Sequence, residues 1–186
     1  MATSLRDIRD RHKGARFLIC GTGPSVDQYS ADWYARWDGI TIGVNDIVHL
    51  FEPDYHLNIH ESARTLTCNI PGLEREIQFD YHNPSTQVDL EKKGELSLVG
   101  TVAFTAYTAA YQLGAEEISL IGVDFKVCPG QTHFIGCPSG YDGNHFIEKN
   151  FELAAVIRCF ESAIKQYGEL GIKTINLSRN SLLMVN

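Results

Sequence analysis

Three short runs set the tightest limit on what this chain can fold into: RFLIC at 16–20, ITIGV at 40–44 and ISLIGV at 118–123. RFLIC and ISLIGV are largely apolar at successive positions rather than at every second one, while ITIGV sets Thr41 and Gly43 between its apolar residues. A strand with one wet face alternates, whereas a strand apolar throughout is covered on both faces. Each run also stops abruptly in glycines or short polar residues. The first ends in Gly21-Thr22-Gly23-Pro24-Ser25, the second in Asn45-Asp46 and the third in Asp124.

Helical patterns separate the runs. Residues 26–37 predict a weak helix with Tyr29, Trp33 and Trp37. Residues 101–113, TVAFTAYTAAYQL, predict a small-residue helix closed by Gly114 as its C-cap. Residues 149–170 predict the clearest helix, with Leu153, Val156, Ile157, Phe160, Ile164 and Tyr167 on one stripe and Gly171 as its stop. Asp54–His60 alternates, with Tyr55, Leu57 and Ile59 on one face and His56, Asn58 and His60 on the other. Ile77, Phe79 and Tyr81 repeat that alternation as a fourth strand, and Lys173–Leu177 closes the chain as a last one. Residues 83–97 and the Gly/Pro-rich stretch 126–146 read as loops, and the N-terminal MATSLRDIRDRHKG as an amphipathic or frayed lead-in. The order predicts an α/β fold: a Rossmann-like three-layer sandwich on a mostly parallel central sheet. With no repeat and no linker, residues 1–186 predict a single domain, with 126–146 as a lid-like loop.

The formal net charge of −7 argues against nonspecific nucleic-acid binding, which needs a basic face. No apolar run reaches the roughly 20 residues of a membrane helix, and the N-terminus has no apolar signal core. The five cysteines are an odd count, and Cys20 and Cys159 sit in apolar patterns as small hydrophobes. A reducing cytoplasm is the expected location.

In open parallel sheets, ligands bind beyond the carboxyl ends of the strands. There the chain delivers the 21–25 turn, Asn45-Asp46, then Asn58, His60 and Glu61, the helix start Gly100-Thr101, and Asp124. Glycines let a backbone approach a phosphate, and free N–H groups with a helix dipole favour the anion. Ser25 and Thr101 add hydroxyls. Asn45 and Asn58 both donate and accept, and Asp124 suits sugar hydroxyls or a metal. Taken singly, a Gly-Pro pair also marks a plain turn, and asparagines also cap turns. The turn is neither Gly-x-Gly-x-x-Gly, since residue 26 is Val, nor a P-loop, since no Gly-Lys-Ser/Thr follows. Convergence of these groups predicts a nucleotide site.

GTGPS, GVN at 43–45, the block GTVAFTAYTAAYQLGAEEISLIGVDF at 100–125 and NSLL at 180–183 resemble the small bacterial sialyltransferases of glycosyltransferase family 42. They equally resemble the MptE-like group, which includes the 6-hydroxymethylpterin diphosphokinases. The resemblance covers most of 16–125 and a short C-terminal patch. It implies a nucleotide-dependent transferase that binds the CMP of a CMP-sugar through Gly21, Thr22, Gly23, Pro24, Ser25, Asn45, Asn58, Gly100 and Thr101, with Asp124 and Phe125 matching the Asp-Phe that ends the family's strand. Thr22 stands where the family has asparagine.

The resemblance implies catalytic groups less directly. Lys126 lies nearest the place of family tyrosines that assist phosphate departure, where a lysine would neutralise the leaving group. The family takes a general base from its lid region, which NHFIEKN at 144–150 resembles. A gapless overlay puts that position on Lys149, so the candidate bases are His145 and His133, the bland alternative being a helix cap and a solvated ring. Cys128, His133, Cys137 and His145 match no zinc spacing. The transferase chemistry requires no cofactor. The alternative, an MptE-like pyrophosphokinase, would use ATP and Mg²⁺ with Asp46, Glu61 or Asp124 as oxygen ligands. A second alternative is a non-catalytic nucleotide-binding module. Expected partners are a nucleotide or nucleotide-sugar and a carbohydrate acceptor, with assembly as a homo-oligomer implied by analogy.

Overall fold

A computed structural model describes residues 3–60, 63–70, 75–78, 80–82, 95–97, 101–125, 145–179 and 181–185. Among these residues ten strands and three α-helices follow in chain order: β1 (Thr3–Ser4), β2 (Ala15–Cys20), α1 (Ala31–Ala35), β3 (Ile40–Val44), β4 (Tyr55–His60), β5 (Ala63–Cys68), β6 (Arg75–Gln78), β7 (Asp80–His82), β8 (Glu95–Ser97), α2 (Val102–Leu113), β9 (Ala115–Ile121), α3 (His145–Glu169) and β10 (Lys173–Asn176). Three 3-10 turns lie at Leu5–Ile8, Pro24–Gln28 and Asn45–His49.

The fold is α/β, built on a mixed and mostly parallel sheet. The sheet has eight strands in the order β1-β6-β5-β4-β3-β2-β9-β10, and β7 and β8 pair separately. From β4 to β10 every neighbouring pair is parallel. β5 and β6 continue past β4 as antiparallel strands. The chain lays β2, β3 and β4 outward on one side, then crosses back to place β9 and β10 on the other. The order therefore reverses between β2 and β9, which opens a crevice at their carboxyl ends.

Both faces of the sheet's centre are buried, as the successive apolar residues Phe17 to Cys20 of β2 require. Phe17 and Ile19 of β2 point into one core with α2 and with Val156, Phe160 and Tyr167 of α3. Leu18 and Cys20 point into a second with Val26, Tyr34, Ile47 and Phe51. Helices α2 and α3 thus cover one face, and α1 with two 3-10 turns covers the other. No helix among the described residues is long and apolar enough to cross a membrane.

Helix α2 fixes which end of the sheet is which. Its C-cap Gly114 adopts φ 99°, and the Gly114 carbonyl accepts from the Gly14 N–H at 2.9 Å, beside the start of β2. From there 12 residues rise about 18 Å, so Thr101 stands at the carboxyl rim. Phe160 ties that rim together. Its ring lies 4.9 Å from Phe104 in the first turn of α2 and 5.4 Å from Phe125 after β9.

Several sequence expectations are corrected. The N-terminal lead-in is packed: Leu5 and Ile8 are buried, and Ser4 and Asp7 form a capping box. The weak helix of 26–37 is a 3-10 turn plus a five-residue helix. The 77–81 alternation spans two strands in different sheets, because the chain leaves the main sheet after Gln78. Glu95–Ser97 is a strand, with the Ser97 N–H donating to Thr108 Oγ1 at 3.2 Å. The long helix begins at His145 rather than 149. The lid expectation at 126–144 lies outside the described residues.

At the amino ends of the strands, His12 Nε2 hydrogen-bonds with the Tyr55 hydroxyl at 2.7 Å. Burial first, and Arg11 second, hold the His12 ring below its ordinary value of 6.5, with Asp54 opposing them. As pH falls, the unfolded chain takes up this proton before the folded one. The contribution is complete above the ordinary value and is lost as pH falls through the lower folded value. Melting temperature should therefore drop on acidification below about pH 6.5, and His12→Phe should flatten that slope in a pH series of thermal melts.

Candidate functional site

Two loops meet where the strand order reverses, and their backbones touch. The Gly21 N–H donates to the Ile121 carbonyl and the Gly23 N–H to the Gly122 carbonyl, each at 2.8 Å. A Cβ on Gly21 would collide with the Gly122 carbonyl, and one on Gly122 with the Gly21 carbonyl. A Cβ on Gly23 would fall 2.6 Å from Asp124 Oδ2. Gly122 also has φ 69°, a conformation that favours glycine. The glycines thus answer first to protein–protein approach.

Ser25 uses both its polar groups inside the protein. Its N–H donates to Asp124 Oδ2 at 2.8 Å. Its hydroxyl accepts from the Gly122 N–H at 2.9 Å and shares a hydrogen bond with Ser178 Oγ at 2.8 Å. The C-terminal segment completes the junction. Ser181 Oγ donates to the Val123 carbonyl at 2.7 Å, the Leu182 N–H donates to the Asp124 carbonyl at 3.0 Å, and Leu183 is buried in the larger core. The Tyr34 hydroxyl pins the 24–28 turn by donating to the Val26 carbonyl at 2.6 Å, and burial pushes that phenol well above its ordinary value of 10.

Little of an anion cradle remains. Among the described residues, the amides of Gly21, Gly23, Ser25 and Val26 all have internal acceptors. Pro24 has no N–H, and only the Thr22 amide and hydroxyl are uncommitted. The carboxylate of Asp124 occupies a place the glycine spacing had suggested for phosphate.

What the rim leaves open are acceptors. Asn45 Oδ1, Asn58 Oδ1 and Asp124 Oδ1 are each buried without a hydrogen-bond partner. Each orphan costs about 1–3 kcal/mol if nothing fills it. Asn45 and Asn58 come from adjacent strands. The last paired rung of β3 and β4 is Val44 with Leu57; past it Asn45 turns into the 3-10 turn, while Asn58 continues in β4 opposite Thr65 of β5. Thr101 is the N-cap of α2 and its side chain makes no capping bond, so its hydroxyl stands at the helix's positive end, which favours an anion.

The structure therefore brings Thr22, Asn45, Asn58, Thr101 and Asp124 to the carboxyl rim. Ser25 has a structural part there, and the Phe125 ring packs on Phe160 in the α2–α3 layer. Gly100, Lys126 and His133 lie outside the described residues, as does the side chain of His145. Three contributors escaped sequence reasoning. Ser178 gives no local signal, since it meets Ser25 across 153 residues. His56 could be placed only on the polar face of its strand, and it hydrogen-bonds the Asn45 carbonyl. Gln28, whose Oε1 is also buried without a partner, lies three residues past Ser25 on the 3-10 turn, a spacing that puts both on one side.

Among the described residues no group of three or more His, Cys, Asp or Glu side chains gathers to hold a metal. Asp124 Oδ1 has the chemistry of a single Mg²⁺ ligand. Of its suggested companions, Asp46 opens the 45–49 turn and Glu61 lies outside the described residues.

Ser25→Ala would leave the Gly122 N–H without its acceptor and Ser178 without its partner. It should cost about 1–3 kcal/mol in urea unfolding. An unchanged midpoint would show that the junction does not need this hydroxyl. No family model, curated protein or solved structure matches the chain.

Proposed function

We propose that the protein is a nucleotide-dependent transferase on a Rossmann-like sandwich, with CMP-sugar-dependent, sialyltransferase-like glycosyl transfer as its reaction. One observation carries this reading: three buried oxygens, on Asn45, Asn58 and Asp124, stand without partners, on the carboxyl side of a mixed, mostly parallel sheet. Such atoms call for a ligand that brings hydrogen-bond donors. A cytidine supplies them through its exocyclic amine and its two ribose hydroxyls. A phosphate supplies none. The nucleoside accordingly lies on the carboxamides and Asp124, and the anionic tail extends toward Thr22 and the start of α2.

In the reaction, a base takes the proton of an acceptor hydroxyl as its oxygen bonds to the anomeric carbon. The glycosidic bond to phosphate breaks, and CMP leaves with the electron pair. His145 and His133 are the candidate bases, and Lys126 the candidate partner of the leaving phosphate. The resemblance in GTGPS, GVN and the 100–125 block supports a nucleotide-dependent transferase and is shared by both readings. A second reading, the ATP-dependent pyrophosphokinase, draws on Asp124 Oδ1 as a potential Mg²⁺ ligand.

Thermal shift against CMP, CTP, ATP and GTP, each with and without Mg²⁺, separates the readings, because a ligand of the native state raises its melting temperature. Stabilisation by CMP without metal is expected. Stabilisation by ATP only with Mg²⁺ would favour pyrophosphoryl transfer. CMP-sugar that binds yet stays intact with acceptor after long incubation would favour a non-catalytic module. No shift with any of the four would overturn the nucleotide reading.

A further inference from the structure

Among the described residues, Asn45 is one of three non-glycine residues with positive φ, at 49°. Asparagine tolerates this left-handed conformation better than most residues, but it still carries strain. The conformation turns the chain sharply out of β3 and into the 3-10 turn, so it decides where the Asn45 carboxamide stands. One side chain outside that turn holds it: His56 of β4 hydrogen-bonds the Asn45 carbonyl through Nε2 at 2.7 Å. A carbonyl only accepts, so His56 Nε2 carries the proton. His56 is also two residues from Asn58 on the same strand, which puts both side chains on one face. The His56 ring therefore links the backbone of one orphaned carboxamide to the strand of the other.

Resting on the nucleotide reading above, we propose that His56 is a positioning residue for ligand recognition. It locks Asn45 in its left-handed turn, so that the carboxamides of Asn45 and Asn58 form a two-amide clamp on the nucleoside. A ligand edge with both a donor and an acceptor fits one amide at the turn after β3 and one on the neighbouring β4, because each amide offers both roles. His56 touches the backbone and not the ligand. Its effect on binding therefore passes through the Asn45 side chain.

CMP affinity, measured by titration calorimetry on the full chain, tests this in four proteins besides wild type: His56→Phe, His56→Gln, Asn45→Gly and the double variant His56→Phe/Asn45→Gly. Thermal melts without ligand check that each folds. His56→Phe removes the donor and should weaken CMP binding by about tenfold. Glutamine keeps an N–H near the place of Nε2, so His56→Gln should retain affinity within about twofold. Glycine adopts the left-handed turn unaided but has no carboxamide. Asn45→Gly should therefore bind weakly, and adding His56→Phe to it should weaken binding no further. Should His56→Phe fail to fold, retention by His56→Gln with loss in His56→Leu carries the same comparison. Equal weakening by His56→Phe in both backgrounds would mean direct ligand contact and overturn the proposal. So would wild-type affinity in a folded His56→Phe, while leaving the nucleotide reading in place. Absence of CMP binding by the wild-type protein would overturn both.

Discussion

Everything at the carboxyl rim depends on how closely two backbones approach. Gly21 and Gly122 lie so near each other that each occupies the space of the other's missing Cβ. That contact lets β9 run beside β2 to its very end and bring Asp124 under the 21–25 turn. It also brings the Gly122 N–H within reach of Ser25 Oγ, and Ser25 in turn meets Ser178. An alanine on either side would part the loops. The first link of a chain of hydrogen bonds from β2 through β9 to the C-terminal segment would then break.

The same contact sets the polarity of the site. Because the loops satisfy each other's amides, the donors that would have held an anion are consumed by the protein. Acceptors are left over: one carboxamide oxygen just past β3, one on β4, and one carboxylate oxygen at the junction. An anionic group is pushed away from the Asp124 carboxylate and toward Thr22 and the positive end of α2. A ligand with a donor-rich end and an anionic end thus has one sensible direction to lie, and a nucleotide has that form.

The parts of this arrangement that follow from local chemistry could be read from the chain. RFLIC and ISLIGV announce strands buried on both faces, Gly114 announces the end of α2, and the stripe from Val156 to Tyr167 announces α3. Asn45, Thr101 and Asp124 could be named because they sit at the ends of such elements, and Asn58 because it alternates onto the polar face of β4. The rest depends on partners far away in sequence. GTGPS suggested phosphate, since free amides follow glycines, but those amides are spent on residues nearly a hundred positions on. The Ser25–Ser178 pair and the buried Leu5 and Ile8 depend on which segments return to the sheet, and no local period encodes that. The 77–81 alternation misled for a related reason. Period two describes pleated backbone, not the sheet in which it pairs.

The most direct measurement is a crystal structure of the protein soaked with CMP. The account predicts that cytidine donors lie within about 3.2 Å of Asn45, Asn58 or Asp124 Oδ1, with the phosphate on the Thr22–Thr101 side. A cytidine bound elsewhere, or a rim in which those oxygens are met only by other protein groups while CMP is present, would contradict it.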